Sequence, residues 1–131
     1  MTRALNFIMI ILCIVSTLAC THVNPDLLYG TYVAAYPFGT DTLTIGRERH
    51  FSQRIEVTGQ GAQTFNGTWQ YSQKDSSIEF HGIGSVADGF GHLKNDWRTD
   101  VIENSFQAVE RSWFKIVINS GARVPYVKQR L

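Results

Sequence analysis

The segment HFSQRIEV at residues 50–57 alternates apolar and polar positions with a period of two, placing Phe51, Ile55 and Val57 on one face and His50, Ser52, Arg54 and Glu56 on the other. Successive side chains of an extended strand point to opposite faces, so the pattern predicts an antiparallel strand buried on one side. Residues 63–72, QTFNGTWQYS, repeat it, with Phe65, Gly67, Trp69 and Tyr71 inward and Thr64, Asn66, Thr68 and Gln70 outward. Between the two, Gly59-Gln60-Gly61 supplies the positive φ angles of a tight reversal, and the pair is predicted to form a hairpin.

Further strands are expected at 28–36 (LYGTYVAAY) and 40–45 (TDTLTI), flanking the turn Pro37-Phe38-Gly39, and at 77–81 (SIEFH) after the turn Lys74-Asp75-Ser76. A closing meander is expected over 101–109, 112–119 and 123–129, with Ser120-Gly121 as another reversal. Roughly seven or eight short strands at regular spacing predict an all-β fold: a single antiparallel up-and-down barrel or nearly closed sheet. Closure removes exposed strand edges, and Pro125, which cannot donate to a ladder, suits a seam better than a central position.

One stretch departs from this pattern. Residues 82–100, GIGSVADGFGHLKNDWRTD, carry Gly82, Gly84, Gly89 and Gly91, and a glycine inside a helix costs ~1 kcal/mol, so no long helix is expected. We expect an ordered loop with one helical turn at 85–88. Structureless segments of this length in small domains usually carry function.

The N-terminus changes the picture of where the domain works. A head with one cation, Arg3, an apolar run at 7–15 (FIMIILCIV) and an exit of small residues ending at Ala19 form the three-part layout of an export signal, 1–19. The run is shorter than the ~20 residues a spanning helix needs. Removal after Ala19 discards Cys13 and leaves Cys20 as the sole thiol, whereas exported proteins usually pair their cysteines. The stretch IVSTLACTHVN resembles the bacterial lipoprotein signal, in which a small residue precedes a cysteine that is acylated and becomes the N-terminus; Ala19 fits, while Thr17 and Leu18 depart from the usual leucine and small residue. The resemblance implies acyl chains on Cys20, several of which are needed for durable attachment. It also implies, from Thr21 rather than an aspartate after the cysteine, an outer-membrane position facing the periplasm. Ordinary cleavage to a soluble periplasmic or secreted protein is the alternative. On this reading residues 20–26 are a short tether and 27–131 the domain.

Charge narrows the partners. Without Arg3 the 12 Lys and Arg become 11, equal to the 11 Asp and Glu, so no basic field exists to hold nucleic acid. No polybasic run for lipid headgroups is visible either, since Arg47, Arg49 and Arg54 are interrupted by Glu48 and Glu56. About 110 residues suit one compact domain.

The motifs Gly30-Thr31-Tyr32, Thr42-Leu43-Thr44-Ile45 and Gly67-Thr68-Trp69 resemble those of small bacterial lipocalin-like lipoproteins over residues 27–80. The resemblance implies a lipocalin-like barrel. It leaves function open, because such domains serve as ligand pockets, docking surfaces and envelope parts.

Candidate chemistry is sparse. His81 and His92 with Asp88, Asp96 or Asp100 could form an acid and base pair or bind a metal, but as surface residues of a glycine-rich loop they need do neither. The chain has no H-E-x-x-H, C-x-x-C or G-x-S-x-G, and we expect no cofactor and no metal. Tyr32, Tyr36, Phe51, Phe65, Trp69, Phe80 and Phe114 are expected in the core. Phe90 and Trp97, the latter beside Asp96 and Arg98, either cover the open end of the sheet or anchor a partner. The leading expectation is a non-enzymatic, membrane-anchored module that binds a protein or a small apolar ligand. An inhibitor or immunity-type protein docking through 82–100 is the second reading, and an enzyme using His81 or His92 the third.

Overall fold

The computed structural model describes residues 23–112, 115–119 and 122–130. The segment 1–19, Cys20, Phe114 and the Ser120-Gly121 reversal lie outside them. After one 3-10 turn, Pro25–Leu27, the chain runs through β1 (Gly30–Tyr36), β2 (Gly39–Ile45), β3 (His50–Val57), β4 (Gly61–Ser72), β5 (Ser77–His81), β6 (Ile83–Gly84), β7 (Val101–Ile102), β8 (Ser105–Ser112), β9 (Lys115–Ile118) and β10 (Tyr126–Lys128). Eight of these close an antiparallel barrel in the order β1-β10-β9-β8-β5-β4-β3-β2, a simple meander interrupted once, between β5 and β8, where β6 and β7 pair only with each other. The all-β, up-and-down barrel expected from the alternation is the fold. Pro125 immediately precedes β10, which closes the seam by pairing with β9 on one side and β1 on the other.

The hairpins define two ends. Turns at 37–38 and 58–60 and the long 82–104 connection lie at one, the upper end; the 3-10 turn and the turns at 46–49 and 73–76 lie at the other. In β3 the burial alternates strictly, with Phe51, Gln53, Ile55 and Val57 inside. In β4, Phe65 and Trp69 point inward with Gly67 between them. Gly67 is required there: a Cβ would lie 2.0 Å from the His81 carbonyl oxygen and 2.7 Å from the Phe51 ring.

The interior is filled, and it is layered. A lower apolar layer contains Tyr32, Leu43, Ile45, Phe51, Trp69 and Phe80, with the rings of Phe51 and Phe80 edge to face at 5.2 Å. An upper layer contains Ile55, Val57, Phe65, Val86 and Trp97. Between them, one step along each strand, sit the buried polar side chains Asp41, Gln53 and Gln107.

Both ends are plugged by chain rather than left as a mouth. Below, Val23 and Leu28 are fully buried and the Tyr32 hydroxyl donates to the Leu28 carbonyl at 2.7 Å. The core thus takes in Val23, inside the stretch expected to be tether, because the turn at Pro25 folds the chain back under the barrel. Above, residues 82–104 are ordered by their own ladder: Ser85 N–H donates to the Asp100 carbonyl, Lys94 N–H to that of Val86 and Asp88 N–H to that of His92. No helical turn forms at 85–88, contrary to expectation, because the backbone there is extended to pair Ala87 with Leu93. The turn falls instead at 95–99, where the N–H groups of Thr99 and Asp100 donate to the Asp96 carbonyl.

Trp97 is the stopper. It is 2% exposed, lies in the upper apolar layer, and donates from Nε1 to Gln60 Oε1 at 3.1 Å, while the Arg98 guanidinium covers its ring at 5.1 Å. Trp97→Ala is expected to cost ~3–5 kcal/mol in urea unfolding and to abolish amide-exchange protection across 82–104. Phe90→Ala, at an exposed position of the same segment, is expected to change stability by no more than ~0.5 kcal/mol.

Candidate functional site

The polar layer holds the most unusual chemistry in the molecule. On β2, Leu43 and Ile45 face inward, and the period of two puts Asp41 on the same face, where it is buried. The same rule buries Gln53 on β3. Gln53 Oε1 accepts from Gly84 N–H at 2.6 Å, and its Nε2 lies within donating distance of Gly84 O (3.1 Å), Asp41 Oδ2 (2.9 Å) and Tyr126 Oη (3.0 Å). Tyr126, from β10, donates its hydroxyl to Asp41 Oδ2 at 2.5 Å. One oxygen of the carboxyl therefore receives hydrogen bonds from two side chains.

The other oxygen receives none. Asp41 Oδ1 is buried without a partner, as is Gln107 Oε1, whose amide nitrogen donates to Ser105 Oγ at 3.1 Å. A buried acceptor without a donor is costly, and such groups in folded proteins call for a physical explanation. Both residues floor a cleft of about 210 Å³ between the upper plug and the wall, whose sides include Tyr36, Ile83, Val86 and Phe106. Burial pushes the Asp41 carboxyl up to about 7, against the pull of its hydrogen bonds from Tyr126 and Gln53. Burial and the Asp41 charge push the facing Tyr36 phenol up to about 12, and the same two causes raise Tyr126.

The residues singled out in the sequence lie elsewhere, and the structure separates them. Trp97 is interior. Phe90, in contrast, is 73% exposed at the tip of a built turn: Asp88 Oδ1 accepts from the N–H groups of Phe90 (2.9 Å) and His92 (2.8 Å), and Arg123 donates to the Phe90 carbonyl at 2.8 Å. Those N–H groups hold the Asp88 carboxyl below its usual range. His92 pairs with Asp88 at 3.4 Å on the surface. His81, at the end of β5, contacts Asn104 at 2.6 Å and Glu79 at 3.5 Å. The two histidines thus have different partners on different elements. Asp96 is exposed and serves the 95–99 turn through its carbonyl, and Arg98 bonds the Gln60 carbonyl. Among the described residues no group of three His, Cys, Asp or Glu side chains is placed to hold a metal ion.

A second cleft, about 580 Å³, opens at the lower end between the 3-10 turn and β8 to β10, with Leu27, Tyr29, Arg111, Lys115, Ile116 and Lys128 in its lining. Sequence reading missed both clefts for one reason: each is assembled from strands far apart in the chain. The signal for the upper one was present, since Asp41 and Gln53 are polar residues on apolar faces. Compared with known protein families, with curated proteins and with solved structures, the chain matches none.

The raised carboxyl has a signed consequence. Folded Asp41 keeps its proton up to pH about 7 while the unfolded group loses it near 3.8, so the folded state binds the extra proton between these values. Stability from this group is complete below pH 4, falls as pH rises toward 7 and is level above it. Asp41→Asn removes the titration. The stability difference, wild type minus variant, is expected to fall by on the order of 2–4 kcal/mol between pH 4 and pH 7.5 in urea unfolding, and a flat difference would contradict the assignment.

Proposed function

We propose that this chain is a lipid-anchored, non-enzymatic binding protein of the bacterial cell envelope, tethered through Cys20 and presenting its upper end to a ligand or partner. The observation that carries this reading is the polarity of the barrel. The described chain begins at the lower end, whereas the Asp41 cleft and the exposed Phe90 lie at the upper end, so a tether at Cys20 turns both away from the membrane. With Val23 in the core, the tether is shorter than 20–26, which keeps the domain close to the bilayer.

The upper cleft suits a small ligand. Its lining mixes Ile83, Val86 and Phe106 with Ser85, Ser105 and Asn119, and it offers acceptors at Asp41 Oδ1 and Gln107 Oε1, which favours a small polar ligand bearing an N–H or O–H donor. The second reading, a protein that blocks an enzyme with an inserted loop, is favoured by one feature. Phe90 is an apolar side chain held out in solvent by a turn that Asp88 and Arg123 brace, which is how an anchoring residue is kept ready at low entropic cost.

Cys20→Ser is expected to move the protein from the membrane to the soluble fraction and to abolish incorporation of labelled palmitate, with the far-UV circular dichroism of the barrel unchanged; a variant that stays in the membrane contradicts the anchor. Capture from envelope extract separates the two upper-end readings. A protein partner lost on Phe90→Ala supports loop docking, and a small molecule that co-purifies with wild type but not with Asp41→Asn supports the cleft.

A further inference from the structure

The chain as a whole is nearly neutral, at +1, yet the fold gathers cations around one cleft at the lower end. Arg111 at the end of β8, Lys115 at the start of β9 and Lys128 at the end of β10 line the 580 Å³ cleft, and Arg130 joins them at its rim. No Asp or Glu is among the described lining residues. Among the described residues the ion pairs are Arg54 with Glu56, His81 with Glu79, His92 with Asp88 and Lys94 with Asp100, so Arg111, Lys115 and Lys128 are left without a carboxylate. Lys128 donates to the Leu27 carbonyl and lies 5.9 Å from the Tyr32 ring centroid, and partial burial holds its ammonium below the usual range. An ammonium partly stripped of water, with a carbonyl oxygen as its only hydrogen-bond acceptor among the described residues, is short of negative charge. The floor between these cations is apolar, from Leu27, Tyr29 and Ile116.

We propose that this cleft binds the phosphate headgroup of an anionic membrane lipid, with the upper acyl or glycerol carbons against Leu27, Tyr29 and Ile116. Charge complementarity selects an anion, and the apolar floor selects an amphiphile over a free ion. Placement selects the membrane. The cleft is at the lower end, the end that Val23 and Leu28 seal, and the residues before Val23 in the sequence carry the apolar run 7–15 and Cys20. The assignment rests on the anchored reading for its lipid source. Each basic side chain near an anionic surface contributes on the order of 1 kcal/mol, and the attraction falls off within a Debye length, so the three cations act only when the lower end faces the lipid.

The test uses the full chain in neutral detergent, with native mass spectrometry reading lipid adducts after addition of phosphatidylglycerol, phosphatidylcholine or inorganic phosphate. Wild type is expected to retain phosphatidylglycerol over phosphatidylcholine by about tenfold or more, and the exposed double variant Arg111→Gln, Lys115→Gln to lose about tenfold of that preference. Raising the salt to 0.5 M should weaken it in wild type and leave the variant little changed. Equal retention of the two lipids, or a preference untouched by the double variant, overturns the proposal. So does saturable binding of inorganic phosphate that displaces phosphatidylglycerol completely, which would make the cleft a site for free phosphate. Cys20→Ser in the same assay keeps the two questions apart: the headgroup preference belongs to the cleft and should persist, whereas membrane attachment in cells belongs to the cysteine.

Discussion

A single amide side chain fixes the path of the long 82–104 connection in the barrel. Gln53 projects from β3 into the interior and takes both backbone groups of Gly84, accepting from its N–H and donating to its carbonyl. Strand β6, paired with β7 in its own ladder, is thereby held against β3 and β4 by a side chain rather than by a second ladder. The position tolerates no Cβ, since one at Gly84 would lie 2.4 Å from the Phe65 ring. Everything above this level follows. Once β6 is pinned, Val86 and Trp97 are carried over Ile55, Val57 and Phe65, and the upper end is closed by the chain's own residues. Loss of the amide would orphan a backbone donor, a backbone acceptor and part of the Asp41 and Tyr126 cluster together, and each buried unsatisfied group costs ~1–3 kcal/mol.

Much of this fold was legible because a half-buried antiparallel strand advertises itself by period two. The strands at 50–57 and 63–72, the turns around them and the need for Gly67 follow from local rules that the structure obeys. What stayed hidden depends on contacts far apart in sequence. Gln53 and Gly84 are 31 residues apart, and Tyr126 meets Asp41 across 85. The same limit explains the 82–100 segment. Phe90 and Trp97 look alike in a glycine-rich loop, and only the upper layer, which lacks a large side chain above Val57 and Phe65, decides that Trp97 goes in and Phe90 stays out. The basic cleft was invisible for an even simpler reason: no two of its three main cations are closer than four positions in the chain, and Lys128 is brought to the others by the pairing of β10 with β9.

The layered interior also constrains function. A lipocalin-like cup would leave the lower apolar layer open to a ligand, but here Tyr32, Phe51, Trp69 and Phe80 pack on one another, and Val23 and Leu28 seal them from below. A ligand of this barrel would therefore have to bind at the ends, and the ends differ in kind. The upper one offers buried acceptors and a protruding aromatic residue, the lower one cations around an apolar floor. A neutral chain with its charge sorted in this way has a preferred orientation near an anionic surface even before any covalent anchor acts.

Asp41 couples the interior to the upper end. Its proton state sets the charge on a group that shares the Gln53 amide nitrogen with the Gly84 carbonyl of β6. When protonated, the group is neutral and its partnerless second oxygen costs one unmade hydrogen bond; when ionised, it is a buried charge whose second oxygen has no donor. A ligand that brings a donor to that oxygen therefore stabilises the ionised form and lowers its pKa, and by linkage binds more tightly as pH rises through about 7. The same carboxyl that weakens the empty barrel at neutral pH is what would hold a ligand there, which is the trade expected where a fold keeps an unpaired polar group in its core.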